Sequence, residues 1–147
     1  MTARVLLTIL VLVQGAATVL IDLNRTHAGN PGWAGHARFH IVWQTFSTAL
    51  LSLVIAALIW SNKSDGSRFY VSAALAAVPL LGFVLAQATK GAYGATLHDP
   101  NGILPLRLRI GRHILRVDGN AAAVYCAIPV LLFIIALFHH ATHAGQP

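Results

Sequence analysis

Four apolar runs dominate the chain, at residues 5–22, 40–60, 69–91 and 120–139. Between them they carry only two charged residues, Asp22 and Lys90, each at the end of its run. A helix needs about 20 predominantly apolar residues to cross a hydrocarbon core, and each run comes up to that length. Inside a bilayer no water satisfies the backbone, so a single spanning run must be helical. The runs therefore predict an all-α membrane protein, a four-transmembrane-helix antiparallel bundle, with residues 1–147 as a single integral membrane domain. Pro79 and Pro129 interrupt the third and fourth runs, which a membrane helix tolerates when neighbours satisfy the freed carbonyl. The first run is expected to stay as a helix and not to be cleaved as a signal peptide. One Arg precedes it, but no small-residue cleavage site closes it.

Composition supports the same class. Charged residues make up 10% of the chain, against roughly 25% in soluble domains. There is no Glu, so any carboxylate chemistry must come from Asp22, Asp65, Asp99 and Asp118. The net charge of +6 arises outside the apolar runs. It points to lipid head groups and membrane orientation and not to nucleic acid. The lone Cys126 cannot form an internal disulfide and reads as a small buried hydrophobe.

Chain order sorts the chemistry. A short second loop (61–68) lies on one side of the bundle, and the longer first and third loops lie on the other. The latter side collects Asp22, Asp99, Asp118, His27, His36, His40, His98 and His113. It also holds seven of the basic residues against three on the opposite side. The positive-inside rule then places loops one and three in the cytoplasm, with a bacterial inner membrane as the expected location. The opposite side has Asp65 and the tail histidines His139, His140 and His143, where a solvated end is expected.

Residues 106–117, LRLRIGRHILRV, alternate with period two at the start and suit strand more than helix. Gly111-Arg112 fits a two-residue hairpin turn with Gly first. That register pairs Leu106 with Val117, Leu108 with Leu115 and Ile110 with His113. Those five apolar residues share one face with His113, and Arg107, Arg109 and Arg116 take the other. The reading given more weight is a solvated basic loop with no ligand. The other is a small β-hairpin which, being marginal in water, would have to dock on the bundle mouth, a lipid surface or an anionic ligand.

The first junction, residues 22–44, holds Asp22, His27, Trp33, His36, His40, Trp43 and Gln44. A helix starting near Gly35 would put His36, His40, Trp43, Gln44 and Ser47 on one stripe. Polar groups at membrane depth are costly and tend to face an interior or a wet cavity, so the stripe is expected to point inward. Gln87, Thr89 and Lys90 of the third run, and Tyr93 just after it, lie near the same side. Three readings stay open. The cluster can be a His-based metal site, because His at i and i+4 is a valid ligand pair. It can be an acid–base site for a lipid-soluble substrate, with an Asp orienting a His that titrates near neutrality. Or it can be a set of hydrogen bonds tying down the loop, with Asn24 and Asn30 as partners. Asn30-Pro31-Gly32 is a turn signal.

The pattern Asp22…Asn24…Thr26-His27…Asn30-Pro31…Trp33…His36-Ala37-Arg38-Phe39-His40…Gln44 resembles the signature of a family of small four-helix membrane proteins of bacteria and fungi. That resemblance covers about twenty residues and implies a fold type but no reaction. A remoter similarity is to the sterol-isomerase and sigma-2-receptor superfamily, whose four or five membrane helices enclose a sterol-like ligand. The shared points are four spans, the polar stripe on the second, and Tyr125 ahead of Pro129 on the fourth. The superfamily uses acidic pocket residues, and the absence of Glu here keeps isomerase activity from being carried over. A single Cys disfavours vitamin-K-reductase-like redox chemistry.

The resulting expectation is an intrabundle pocket, between the helices near the 22–44 segment, for a small hydrophobic molecule, bound or transformed. His40, His36 and Asp22 are the candidate catalytic residues. His27, Trp33, Trp43, Gln44, Gln87 and Tyr93 are the candidate ligand-binding residues, with membrane lipids as surroundings. The alternatives are a non-enzymatic accessory subunit that meets another membrane protein or a second copy, and a metal-binding protein using His27, His36, His40 and His98.

Overall fold

Each of the four apolar runs is a helix in the computed structural model, which describes residues 1–61, 66–100 and 102–144. In chain order the elements are α1 (Thr2–Asp22), α2 (Gly35–Ser61), α3 (Gly66–Thr89), a 3-10 turn (Lys90–Tyr93), β1 (Leu106–Ile110), β2 (His113–Val117) and α4 (Gly119–His143). All four helices are long and apolar enough to cross a membrane. The short turn expected at loop two, with Asp65, falls at 62–65, outside the described residues.

α1 and α2 form the most extensive helix pair. They run antiparallel. At one end Arg4 Nη1 donates to the Ile59 carbonyl at 2.7 Å; at the other the Thr45 hydroxyl lies 3.4 Å from Asp22 Oδ2. α3 and α4 also run antiparallel. Phe69 stacks on Phe138 with ring centroids 3.8 Å apart, and at the far end Tyr125 donates to Gln87 Oε1 at 2.8 Å. The buried stripe of α1, Ala3, Leu7, Val11 and Gly15, repeats every fourth residue. It meets Ser52, Ile55 and Ile59 of α2, and small residues on both sides let the backbones approach.

The outer faces are apolar too. Ile9, Leu50, Leu81 and Phe133 are 53–62% exposed. A helix in a water-soluble bundle carries polar residues on its outer face, whereas helices apolar all round are buried in a core or in lipid. Buried polar side chains are few, and among the described residues none lacks a hydrogen-bond partner.

β1 and β2 pair in the register read from the sequence, from Leu106 opposite Val117 to Ile110 opposite His113. Gly111 sits at φ +60°, and among the described residues only glycines have positive φ. A primed turn with only its first central residue in that region is type II′, which calls for Gly there. Asp118 caps α4 by accepting the Ala121 N–H at 2.9 Å. Asp118→Ala is expected to cost about 1 kcal/mol, while Asp118→Asn keeps an acceptor and most of the stability. Thermal unfolding in detergent distinguishes the two; an Ala variant melting with the parent would show the cap to be idle.

Candidate functional site

Loop one is tied down from within. The Asn24 side-chain carbonyl accepts the Thr26 N–H at 2.7 Å, an Asx turn that closes the chain after α1. Asn30 is fully buried. Its Nδ2 donates to the Thr26 carbonyl at 3.1 Å and its Oδ1 accepts the Gly32 N–H at 3.0 Å, a second Asx turn. Gly29 lies in the fold between them. A Cβ there would sit 3.2 Å from the Arg25 Cα and the Asn24 carbonyl oxygen, so a side chain would crowd the backbone.

These turns set the state of His27. The Thr26 hydroxyl is 2.6 Å from Asn24 Oδ1 and 2.8 Å from His27 Nδ1. Oδ1 is bound to be the acceptor, because the Thr26 N–H already donates to it. The single hydroxyl proton therefore goes to Asn24, and the hydroxyl oxygen accepts from Nδ1–H. A neutral His27 then keeps its proton on Nδ1 and holds Nε2 as an acceptor or base.

Loop three closes over loop one. The Trp33 indole N–H donates to Asp99 Oδ2 at 2.9 Å, and the His27 ring meets Trp33 edge-on with centroids 5.5 Å apart. Between these loops and the start of α4 lies a pocket of about 490 Å³, within the usual range for small-molecule sites. Its walls include Ile21, His27, Trp33, Leu97, His98, Asp99, Ile103, Asp118, Asn120 and Ala123. Two of the chain's four Asp residues thus line one cavity. A smaller cavity of about 330 Å³ lies at the opposite end, beside Arg4, Gly66 and Phe138.

Of the residues singled out from sequence, His27, Trp33 and His98 line this pocket. Asp22 lies by Thr45 instead of orienting His40. His36 and His40 do come together, with Nε2 atoms 3.0 Å apart, but both are exposed, as are Trp43 and Gln44. Gln87 accepts from Tyr125, and the exposed Tyr93 donates to the Ala86 carbonyl at 2.7 Å. The expected inward direction of the His36–His40–Trp43 stripe is corrected here. α2 buries Thr45, Ser52, Ile55 and Ile59. At about 100° per residue, positions 36, 40 and 43 fall on the opposite face. The stripe exists, but it looks out of the bundle.

Asn24, Thr26, Asn30 and Asp99 carry the architecture of the pocket, and none stood among the candidate site residues. The signals present were the Asn-rich turn chemistry of 24–30 and the scarcity of acids, which makes any buried or half-buried Asp notable. Among the described residues no three His, Cys, Asp or Glu side chains gather as metal ligands would. No family model matches the chain, and neither does any of the curated proteins or solved structures compared with it.

Proposed function

We propose that this chain is an integral membrane protein that binds a small hydrophobic molecule at the end of its bundle, in the pocket between loop one, loop three and α4. The observation that carries this reading is the His27–Trp33–Asp99 arrangement lining that pocket. His27 Nε2, Asp99 and Asp118 are all acceptors. They suit a ligand whose apolar body meets Ile21, Leu97 and Ile103 and whose polar end carries a hydroxyl or amine. The apolar outer faces of the four helices support insertion in a membrane. The excess of Lys and Arg at the pocket end supports a cytoplasmic orientation in a bacterial inner membrane. The likeness of residues 22–44 to the small four-helix family is of a piece with this fold.

His27 is the group we assign to polarise or deprotonate the ligand's polar end, because its Nδ1 is engaged by Thr26 and its Nε2 is the basic nitrogen. Binding alone needs only the acceptors; a reaction needs His27 as base. A metal at His36 and His40 would draw on two imidazoles alone among the described residues, so it is not part of this reading.

The test is mass spectrometry of small molecules extracted from protein purified in mild detergent. The parent is expected to carry a hydroxyl- or amine-bearing lipophile. His27→Ala and Asp99→Asn are expected to lower its occupancy at least about tenfold, a loss of roughly 1.4 kcal/mol each in binding. Equal occupancy in all three proteins, or no lipophile in the parent, defeats the reading.

A further inference from the structure

Among the described residues the β1–β2 hairpin stands apart from the helix bundle. Neither strand packs extensively against a helix, and every strand residue except Val117 is exposed. The register sets Leu106, Leu108, Ile110, Leu115 and Val117 with His113 on one face. Of these, Leu106, Leu108, Ile110 and Leu115 are 48–65% exposed. The other face has Arg107 directly opposite Arg116 and Arg109 opposite Ile114, so that Arg109 lies diagonal to Arg116. Like charges placed opposite one another destabilise a strand pair, and a lone two-stranded sheet is marginal in water. No acidic residue occurs between Pro100 and Val117 to offset them. Both features call for something outside the chain that is apolar on one side and anionic on the other.

We propose that this hairpin is a membrane-surface anchor, with its apolar face at the acyl boundary and Arg107, Arg109, Arg112 and Arg116 on the phosphates of anionic phospholipids. The proposal rests on the reading that the four helices span a membrane; it does not depend on the pocket. Position favours it. Only Asp118 separates β2 from α4, so the base of the hairpin is held where α4 would enter the bilayer. Five residues per strand span roughly 17 Å, and a sheet lying flat places its two faces at different depths. Its apolar side chains then reach the hydrocarbon edge, and its arginines lie near the phosphate level, as amphipathic segments do at interfaces. Guanidinium matches phosphate in a forked, two-hydrogen-bond geometry. Charge complementarity excludes a second copy as the better occupant: its hairpin brings the same arginines and no carboxylate.

The experiment uses the full chain with Cys126→Ser, reconstituted in nanodiscs. An environment-sensitive fluorophore is attached at Leu108→Cys on the apolar face or at Ile114→Cys on the arginine face. The discs are phosphatidylcholine alone or phosphatidylcholine with phosphatidylglycerol. In the anionic discs the Leu108→Cys label is expected to shift to the blue and to be quenched by nitroxide placed in the acyl chains. The Ile114→Cys label stays unquenched. Replacing Arg107, Arg109 and Arg116 by Gln, or omitting phosphatidylglycerol, is expected to reduce the quenching several-fold. Water-like emission from both labels in anionic discs overturns the anchor. Equal quenching with and without phosphatidylglycerol overturns the contact with anionic phospholipid. Quenching that appears only in discs loaded with two copies assigns the face to self-association and overturns it as well. Flotation with vesicles at alkaline pH reads the membrane-spanning claim separately. A chain that floats yet keeps a water-exposed hairpin fails the anchor alone, and a chain that does not float fails both.

Discussion

Gly15→Ala is expected to destabilise the bundle by about 1–3 kcal/mol, the range for overpacking a close-packed core. A Cβ on Gly15 would stand 2.8 Å from Ser52 Oγ and 2.9 Å from Ser52 Cβ. The hydroxyl can rotate away, at the cost of its 2.9 Å bond to the Thr48 carbonyl. The Cβ cannot, because no rotamer moves it. Carbon atoms sit comfortably at about 3.5–4.0 Å, so the two helices must part along their most extensive contact. Gly15→Leu should do more damage than Gly15→Ala. Adding Ser52→Gly should recover much of the loss, since the Ala49 Cα, at 3.4 Å, is then the nearest neighbour left. A double-mutant cycle by thermal unfolding measures the coupling between the two sites. Additive effects, or a Gly15→Ala protein as stable as the parent, would show that the helices do not cross this closely.

Arg4→Met is expected to cost about 2–3 kcal/mol, chiefly through the carbonyl it leaves behind. Arg4 is only 5% exposed. Its guanidinium donates to the Ile59 carbonyl at 2.7 Å and lies 5.5 Å from the centroid of the Phe138 ring. Ile59 is within the last turn of α2, whose final four carbonyls have no donor inside the helix. A cation there also meets the negative end of the helix dipole. One side chain thus ties the start of α1 to the end of α2 and to α4. Methionine keeps the aliphatic stem, so its loss isolates the charge and donors from the packing. Arg4→Lys should fall between the two, because a point charge replaces the planar fork. Thermal melts of the three proteins in one detergent give the order; a Met variant equal to the parent would refute it. The neighbouring bond from Trp60 to the Thr8 hydroxyl, 2.9 Å, supports the same corner and is left intact.

Much of the architecture was legible before any coordinates. The runs at 5–22, 40–60, 69–91 and 120–139 are each helices whose limits differ from the runs by at most a few residues. The extension of α2 back to Gly35 adds polar residues that a hydropathy count cannot recruit. The hairpin register was readable because period-two alternation and a Gly-first turn leave little freedom. The side on which loops one and three meet followed from the number of spans alone, and the Trp33–Asp99 bond records that meeting.

The candidate site was legible only in outline. His27 and Trp33 were singled out and do line a pocket, but His36, His40, Trp43 and Gln44 are turned away from it. The stripe could be read from sequence; its direction could not. In a bundle that is apolar on both faces, hydropathy does not say which face of α2 packs on α1. That choice is made by small residues, Gly15 against Ser52 and Thr45 beside Asp22, whose fit is a property of two helices together. Asp99 was out of reach for a related reason. It lies 66 positions from Trp33, and only closure of loop three over loop one joins them. By itself, then, the sequence determined four helices, their order, the hairpin and the side that gathers the ionisable groups, because periodicity and length act locally. Tertiary structure decided which of those groups share a cavity, because that depends on the helical phase chosen by packing and on the Asx turns that aim His27 and Trp33.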